Sequence, residues 1–457
     1  IPLFFLLAAF RLKNSLVRLC TITALIILTL MTANPITFIL YRLNIPLISA
    51  SSPTLMSFLL LFSLTIATSL GLDGWIREKH SIGKFAHRSL MVIIFFIIVW
   101  WMFQSTEHAL TALKAILYSA ALAGATLIGF FIAITRKKLM IPTLAVLVII
   151  HGVDLFFQFQ KFNPFVPSSF IFPQTSIFQF LKERGGIDRF WGYGTASIQA
   201  NFATQHRLFS PDGYDPLYPK WYGELIHASK DGKLLKNFST QTRSDATITP
   251  GYGELDLPSN LHRLRLFDAL GVRYVLDRPE NGSTQRTFPS DRFSFIADID
   301  GWRVYENIKA APRIFLTSSY RVYRTPQEFE SIFFSDSFDP SKTILLREPL
   351  DKPLGPIENT YVQLSEYQPT NVSLTVASHG NLLYMSDTNY PGWNAYVDGV
   401  KTPVLKANYA FRAIYVPEGT HAIRFTFFPA SFKIGLIISL VSIMGSLLYI
   451  LKYERKT

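Results

Sequence analysis

Apolar residues in this chain gather into long unbroken runs near both ends. Between them, apolar and polar positions alternate at short period. Runs at 54–72, 115–134, 139–157 and 434–451 are long enough to cross a bilayer as helices. A span needs about 20 apolar residues, and it must be helical because unpaired backbone groups are too costly in hydrocarbon. Residues 89–103 form a shorter run ending near Trp100 and Trp101, a pair suited to an interface. A further run at 19–33 extends back to Ser15 if Arg18 snorkels. Residues 1–10 read as the end of another span, so the chain is expected to be N-terminally truncated.

From Gln158 the pattern changes. Residues 177–184 have helical spacing. Residues 261–270 predict a helix stopped by Gly271, with a buried strand at 272–276. Residues 371–377 alternate as a strand does. Residues 393–397, the Asp398-Gly399 pair and 400–405 predict a hairpin, since Asp-Gly supplies the positive φ of a two-residue turn. A second hairpin is expected from 410–416 and 421–428 about Pro417-Glu418-Gly419-Thr420. The predicted fold class is a polytopic α-helical membrane protein carrying an α/β region and a β-sandwich. About six transmembrane helices occupy 1–157, the α/β domain 158–310, the β-sandwich 311–431, and a last transmembrane helix with its tail 432–457.

Composition sharpens this picture. The chain has 457 residues, of which 49% are hydrophobic and only 17% charged, and Phe alone contributes 39. Such a balance fits lipid-facing surface as well as a core. The net charge of +12 sits largely in short loops beside apolar runs, which argues against nucleic acid as a partner. A single cysteine, Cys20, excludes an internal disulfide.

The basic residues also give an orientation. Arg11, Lys13 and Arg18, then Arg77, Lys79, Lys84 and Arg88, then Arg136, Lys137 and Lys138, and finally Lys452, Arg455 and Lys456 alternate with loops poor in cations. By the positive-inside rule those four sites are cytoplasmic. Residues 158–431 are then extracytoplasmic and the C-terminus is cytoplasmic.

Three stretches together resemble the YfhO family of bacterial membrane proteins. The first is Asp154-Leu155-Phe156 with Phe162-Asn163-Pro164-Phe165 and Phe172-Pro173. The second is Asn201-Phe202-Ala203 with Pro211-Asp212-Gly213-Tyr214-Asp215-Pro216-Leu217-Tyr218. The third joins Tyr390-Pro391-Gly392-Trp393, Asp398-Gly399 and Ala407-Asn408-Tyr409-Ala410-Phe411-Arg412 to the final span. The family is similar to the GT-C glycosyltransferases. The resemblance therefore implies a GT-C-like membrane part, a polyprenyl-phosphate-linked sugar as donor and a cell-surface glycopolymer as acceptor. It places the catalytic carboxylate in a first outer loop upstream of Ile1. It also leads one to expect basic residues at 43–54, where this chain has none.

Such a transfer needs a base for the acceptor hydroxyl, and cations or a divalent metal ion for the departing phosphate. Arg42, in a predicted outer loop beside Tyr41, is a candidate for the carrier phosphate; interfacial snorkelling is the plainer reading. His151 and Asp154 lie three apart on one helix face and are candidates for acceptor binding, with a hydrogen bond to a neighbouring helix as the alternative. Asp212, Tyr214, Asp215, Tyr218, Trp221 and Tyr222 form an aromatic and acidic cluster suited to sugar rings, or else a loop with Asx turns. Trp393 is a candidate sugar platform or a core residue, and Arg412 a candidate for the headgroup layer. Gly192-Tyr193-Gly194 and Gly251-Tyr252-Gly253 lack the third glycine of a dinucleotide site, and no zinc spacing is present. Two further readings stay open: a non-catalytic glycan-binding or envelope-assembly module, and a lipid-carrier transporter.

Overall fold

The computed structural model describes residues 15–32, 34–43, 56–77, 82–104, 109–162, 165–215, 217–234 and 245–454. The expected run at 1–10 and most of the 43–54 stretch lie outside them. The chain divides into two compact units, Ile1–Val166 and Pro167–Thr457.

The first unit is helical: α1 (Ser15–Met31), α2 (Pro35–Arg42), α3 (Ser57–Arg77), α4 (Ile82–Phe103), α5 (Ala109–Thr135) and α6 (Met140–Phe162). The helices outrun the apolar stretches that predicted them, because hydropathy marks only the part matched to hydrocarbon. Windows in α3, α4, α5 and α6 are long and apolar enough to cross a membrane, as is the final helix of the chain. The segment around 19–33 departs from expectation. It forms a pair, α1 and α2, bent by 74°. Asn34 explains the break: its side chain accepts the N–H groups of Ile36 and Thr37, and Pro35 opens the new helix. Arg42, expected in a loop, therefore lies in the last turn of α2. Between α5 and α6, Phe130, Ala133 and Leu147 are buried, and a Cβ on Gly129 would meet Leu147 at 2.9 Å. Most remaining apolar side chains on these helices point outward, as lipid requires.

In the second unit the main helices are α7 (Ser176–Gly185), α8 (Lys220–His227), α9 (Leu261–Leu270), α10 (Pro326–Phe333) and α11 (Ala430–Glu454). The strands are β1 (Arg189–Gly192), β2 (Gly213–Tyr214), β3 (Asp245–Ala246), β4 (Val272–Asp277), β5 (Phe293–Ile299), β6 (Trp302–Asn307), β7 (Ile314–Thr317), β8 (Ser319–Val322), β9 (Thr343–Leu346), β10 (Tyr361–Gln368), β11 (Asn371–Thr388), β12 (Trp393–Val397), β13 (Val400–Thr402), β14 (Leu405–Ala407) and β15 (Phe411–Phe427). A four-stranded sheet runs β1-β4-β6-β5, with β1 parallel to β4. Helix α9 ends at Gly271, whose φ of 66° forms a left-handed cap and hands the chain directly to β4.

The second sheet runs β10-β11-β15-β14-β9-β8, with β12, β13 and β7 off that path. The Asp398-Gly399 hairpin forms as predicted, both residues taking positive φ. The second hairpin does not. Residues on either side of Pro417-Glu418-Gly419-Thr420 pair with β11, not with each other, so β15 is one strand with a corner. Chain reach requires that corner. Phe411 pairs with Thr388 and Phe427 with Trp393. A straight strand would part Phe411 from Phe427 by about 53 Å, yet Thr388 and Trp393 are joined by a link reaching at most about 18 Å. Gly380 on β11 and Gly419 on β15 both take positive φ at the bend, where Gly419 pairs with Ser378 and Val416 with Asn381. The sheet thus folds back over itself. One buried cluster reaches from Trp191 and Phe267 to Tyr384 and Phe411, on both sides of residue 310; a second holds Leu374, Ile414 and Phe425.

Candidate functional site

The folded sheet brings together residues that are distant in sequence. Helix α8 follows Pro219 and buries Glu224, Leu225 and Ile226. Glu224 is fixed by the Tyr409 hydroxyl at 2.5 Å and approached by Lys220 at 3.6 Å. That anchoring presents Trp221 beside the loop from Asn389 to Gly392. The Trp221 and Tyr390 rings lie 6.1 Å apart and 35° from parallel, and Lys406 sets its ammonium 4.7 Å from the Trp221 ring centre. With Trp393, Asn389, Asn394 and Lys401 they line a cleft of about 430 Å³. Burial lowers the Lys406 pKa, with the Arg347 charge adding to it.

Trp393 is half-buried. Its ring packs on Phe427 at 5.2 Å, and the Arg412 guanidinium stacks 3.8 Å from its centre. Arg412 belongs to a buried charge cluster around Asp387. Arg189, Arg313 and Arg412 all reach that carboxylate, at 3.3, 2.8 and 3.2 Å, and the Tyr367 hydroxyl donates to it at 2.6 Å. Cations outnumber the anion, and the excess is met by carbonyls. Arg189 donates to Leu270 and Ser386, Arg313 to Ile187, and Arg412 to Thr388. Arg313 also stacks on Phe209 and Tyr367. Burial alone would raise the Asp387 pKa; the guanidiniums of Arg313, Arg412 and Arg189 outweigh it and hold the carboxyl far below the usual range. A register shift between Met385 and Thr388 aims Asp387 at these partners.

Other residues singled out from sequence fall elsewhere. Arg42 stacks on Phe38 at 4.2 Å, with Tyr41 beside it in α2. His151 lies 2.9 Å from the Leu147 carbonyl and 3.5 Å from the Thr126 hydroxyl, while Asp154 accepts from Tyr118 at 2.5 Å. Their partners are therefore within α6 and on α5. Asp212 accepts the Ile248 N–H at 2.7 Å, and burial pushes its carboxyl up to about 7. Asp215 accepts the Leu217 N–H at 2.8 Å in an Asx turn, and Tyr218 follows. Tyr214 is exposed on β2, bracketed by Asn201. Tyr222 is held by its hydroxyl on the Pro211 carbonyl at 2.5 Å. Of that aromatic and acidic cluster, Trp221 joins the cleft. No group of three or more potential metal ligands occurs among the described residues.

Sequence reasoning did not single out Lys401, Lys406, Asn389 or Asn394, nor Asp387. Tyr390 was legible only as part of a motif. The available signal was two lysines on a short hairpin following a Tyr-Pro-Gly-Trp turn. Asp387 had a fainter one, a single carboxylate closing the apolar run 382–385.

Residues 347–439 match the family described as bacterial membrane protein YfhO. That match includes the Asn389–Lys406 side of the cleft and the start of α11, but not Trp221. Over 59 residues the chain is 39% identical to the uncharacterized protein YfhO of Bacillus subtilis (strain 168). This alignment covers 13% of the chain and 7% of that relative. No solved structure matches the chain. Both matches point the same way: this part of the chain is similar to YfhO-type bacterial membrane proteins.

Proposed function

We propose that this protein is a membrane glycosyltransferase-like protein whose β-rich region holds a saccharide in the Trp221, Tyr390 and Trp393 cleft. The observation that carries this reading is the cleft itself. Three aromatic side chains and two lysines converge on a volume typical of small-ligand sites. Aromatic faces cover the apolar faces of sugar rings, and the amides of Asn389 and Asn394 are suited to hydroxyl groups. The donor is then a polyprenyl-phosphate-linked sugar, the acceptor a cell-surface glycopolymer, and residues 158–431 face the exterior, with GT-C-like helices holding the carrier. In this scheme Arg42 and Tyr41 meet the carrier phosphate, and His151 and Asp154 shape the membrane side of the acceptor path. The test is titration of the bilayer-reconstituted chain with surface-polymer oligosaccharides. Binding lost in Trp221→Ala but retained in Tyr214→Ala supports the reading. Unchanged binding in Trp221→Ala overturns it.

A second reading is favoured by the chemistry of the lining. The cleft's charged groups are lysines, whereas Asp212 and Asp215 are engaged elsewhere by backbone N–H groups. Such a lining can hold a saccharide while offering no carboxylate as general base. The protein would then be a non-catalytic, membrane-anchored glycan-binding module. Sugar transfer from a polyprenyl-phosphate donor by the reconstituted chain would exclude it.

A further inference from the structure

The cleft is tied to the helix that enters the bilayer. Strand β15 ends at Phe427 and α11 begins at Ala430, so only Phe428 and Pro429 separate sheet from span. The Phe428 N–H donates to the Gly392 carbonyl at 2.9 Å. Gly392 has φ 118°, and a Cβ there would meet Pro429 at 2.8 Å. The Tyr390–Trp393 turn is therefore clamped against the first turn of a helix that is long and apolar enough to cross a membrane from Ala430 onward. Whatever depth α11 takes, this turn takes nearly the same.

The side chains at that level match a bilayer surface. Tyr390, Phe428 and Phe432 are 44%, 49% and 56% exposed. The Phe428 and Phe432 rings lie 5.7 Å apart, Tyr390 packs on Phe427 at 6.3 Å, and Lys433 sits 4.9 Å over Phe428. Lys401 is exposed near the same turn, on the cleft wall. Among the described residues no carboxylate lies within ion-pair distance of Lys401, Lys406 or Lys433. Exposed aromatic rings edged by unpaired cations are the composition of an interfacial belt, and such cations are drawn to an anionic leaflet.

We propose that Tyr390, Phe428, Phe432 and Lys433, with Lys401 beside them, form a docking surface for anionic phospholipid headgroups, seating the β-rich region in the headgroup layer and holding the cleft at that depth. This does not depend on what the cleft binds. The occupant is the leaflet that α11 enters, by continuity with the span and by charge.

The test uses the whole chain in nanodiscs, with Cys20→Ser and one environment-sensitive label at Tyr390→Cys, Pro391→Cys or Glu358→Cys. Glu358 closely follows Gly355 and Pro356, whose carbonyls accept from Asn381 at the mid-strand corner of β11, well along that strand from its Asn371 pairing with Thr426. Quenching by headgroup-nitroxide lipid is expected to be at least twofold stronger at 390 and 391 than at 358. It should rise when phosphatidylglycerol is added to phosphatidylcholine, and Lys401→Glu with Lys433→Glu should abolish that rise. Equal quenching at all three sites overturns the docking surface. Quenching indifferent to phosphatidylglycerol overturns its preference for anionic lipid. Two independent label sites guard against one variant that fails to fold.

Discussion

The Arg412 guanidinium stacks 3.8 Å from the centre of the Trp393 ring while one of its nitrogens lies 3.2 Å from the Asp387 carboxylate. A wall of the cleft is thereby braced by the buried charge cluster around Asp387. Disturbing the buried cluster should be felt at the cleft.

Asp387→Asn removes the carboxylate that, among the described residues, pairs with Arg189, Arg313 and Arg412, leaving those buried guanidiniums without that counter-charge. Breaking a buried pair this way costs about 3–5 kcal/mol. The expected outcome is that much lost stability in denaturant unfolding of the purified chain, together with altered Trp393 fluorescence. Asp387 also sets an acid limit. Its pKa is held far below that of the unfolded chain, so its stabilisation is complete above about pH 4 and fades as pH falls further toward the folded value.

Asp212 works in the opposite direction. Burial raises its pKa to about 7, against about 3.9 in an unfolded chain. Between those values the native state binds the extra proton, so this group makes stability decline as pH rises from about 4 to 7. Asp212→Asn keeps an oxygen for the Ile248 N–H but removes the titration. The variant should be more stable at pH 8 by about 1 kcal/mol or more, with a flatter stability profile over that window. Thermal unfolding at several pH values checks this.

Gly392→Ala forces a side chain onto a residue at φ 118° and onto Pro429 at 2.8 Å. Strain of about 1–3 kcal/mol is expected. Because the turn carries Tyr390 and Trp393, saccharide affinity should fall along with melting temperature. A variant that melts lower yet binds normally would separate the clamp from the cleft.

Lys406→Met retains the stem over Trp221 and removes the charge. Binding of an acidic saccharide should weaken about tenfold, equivalent to about 1.4 kcal/mol, with a reduced salt dependence. Binding of a neutral saccharide should change much less. Calorimetry with matched neutral and acidic oligosaccharides reads both.

Local rules carried much of the fold. The apolar runs marked four helices of the first unit and α11, since a membrane span is specified by composition over its own length. Gly271 stopped α9 and Asp398-Gly399 turned the β12–β13 hairpin, because both effects reside in one or two φ angles. The break at Asn34-Pro35 was written in the chain but hidden by continuous apolarity. Pro417-Glu418-Gly419-Thr420 looked like a turn because its residues suit one. Whether such a segment reverses the chain or bends a strand depends on the partner it meets, and here that partner is β11.

The candidate site shows the same division. Sequence alone determined that aromatic residues lie at Trp221 and Trp393, that spans flank a long polar stretch, and that the chain resembles one membrane family. Tertiary structure decided that Trp221 meets Tyr390 and Lys406, and that Asp387 gathers Arg189, Arg313 and Arg412 from across the chain. The reason is physical: helix and turn preferences act between near neighbours. A cleft, or the balance of a buried charge, arises between side chains brought together only when a sheet folds over on itself.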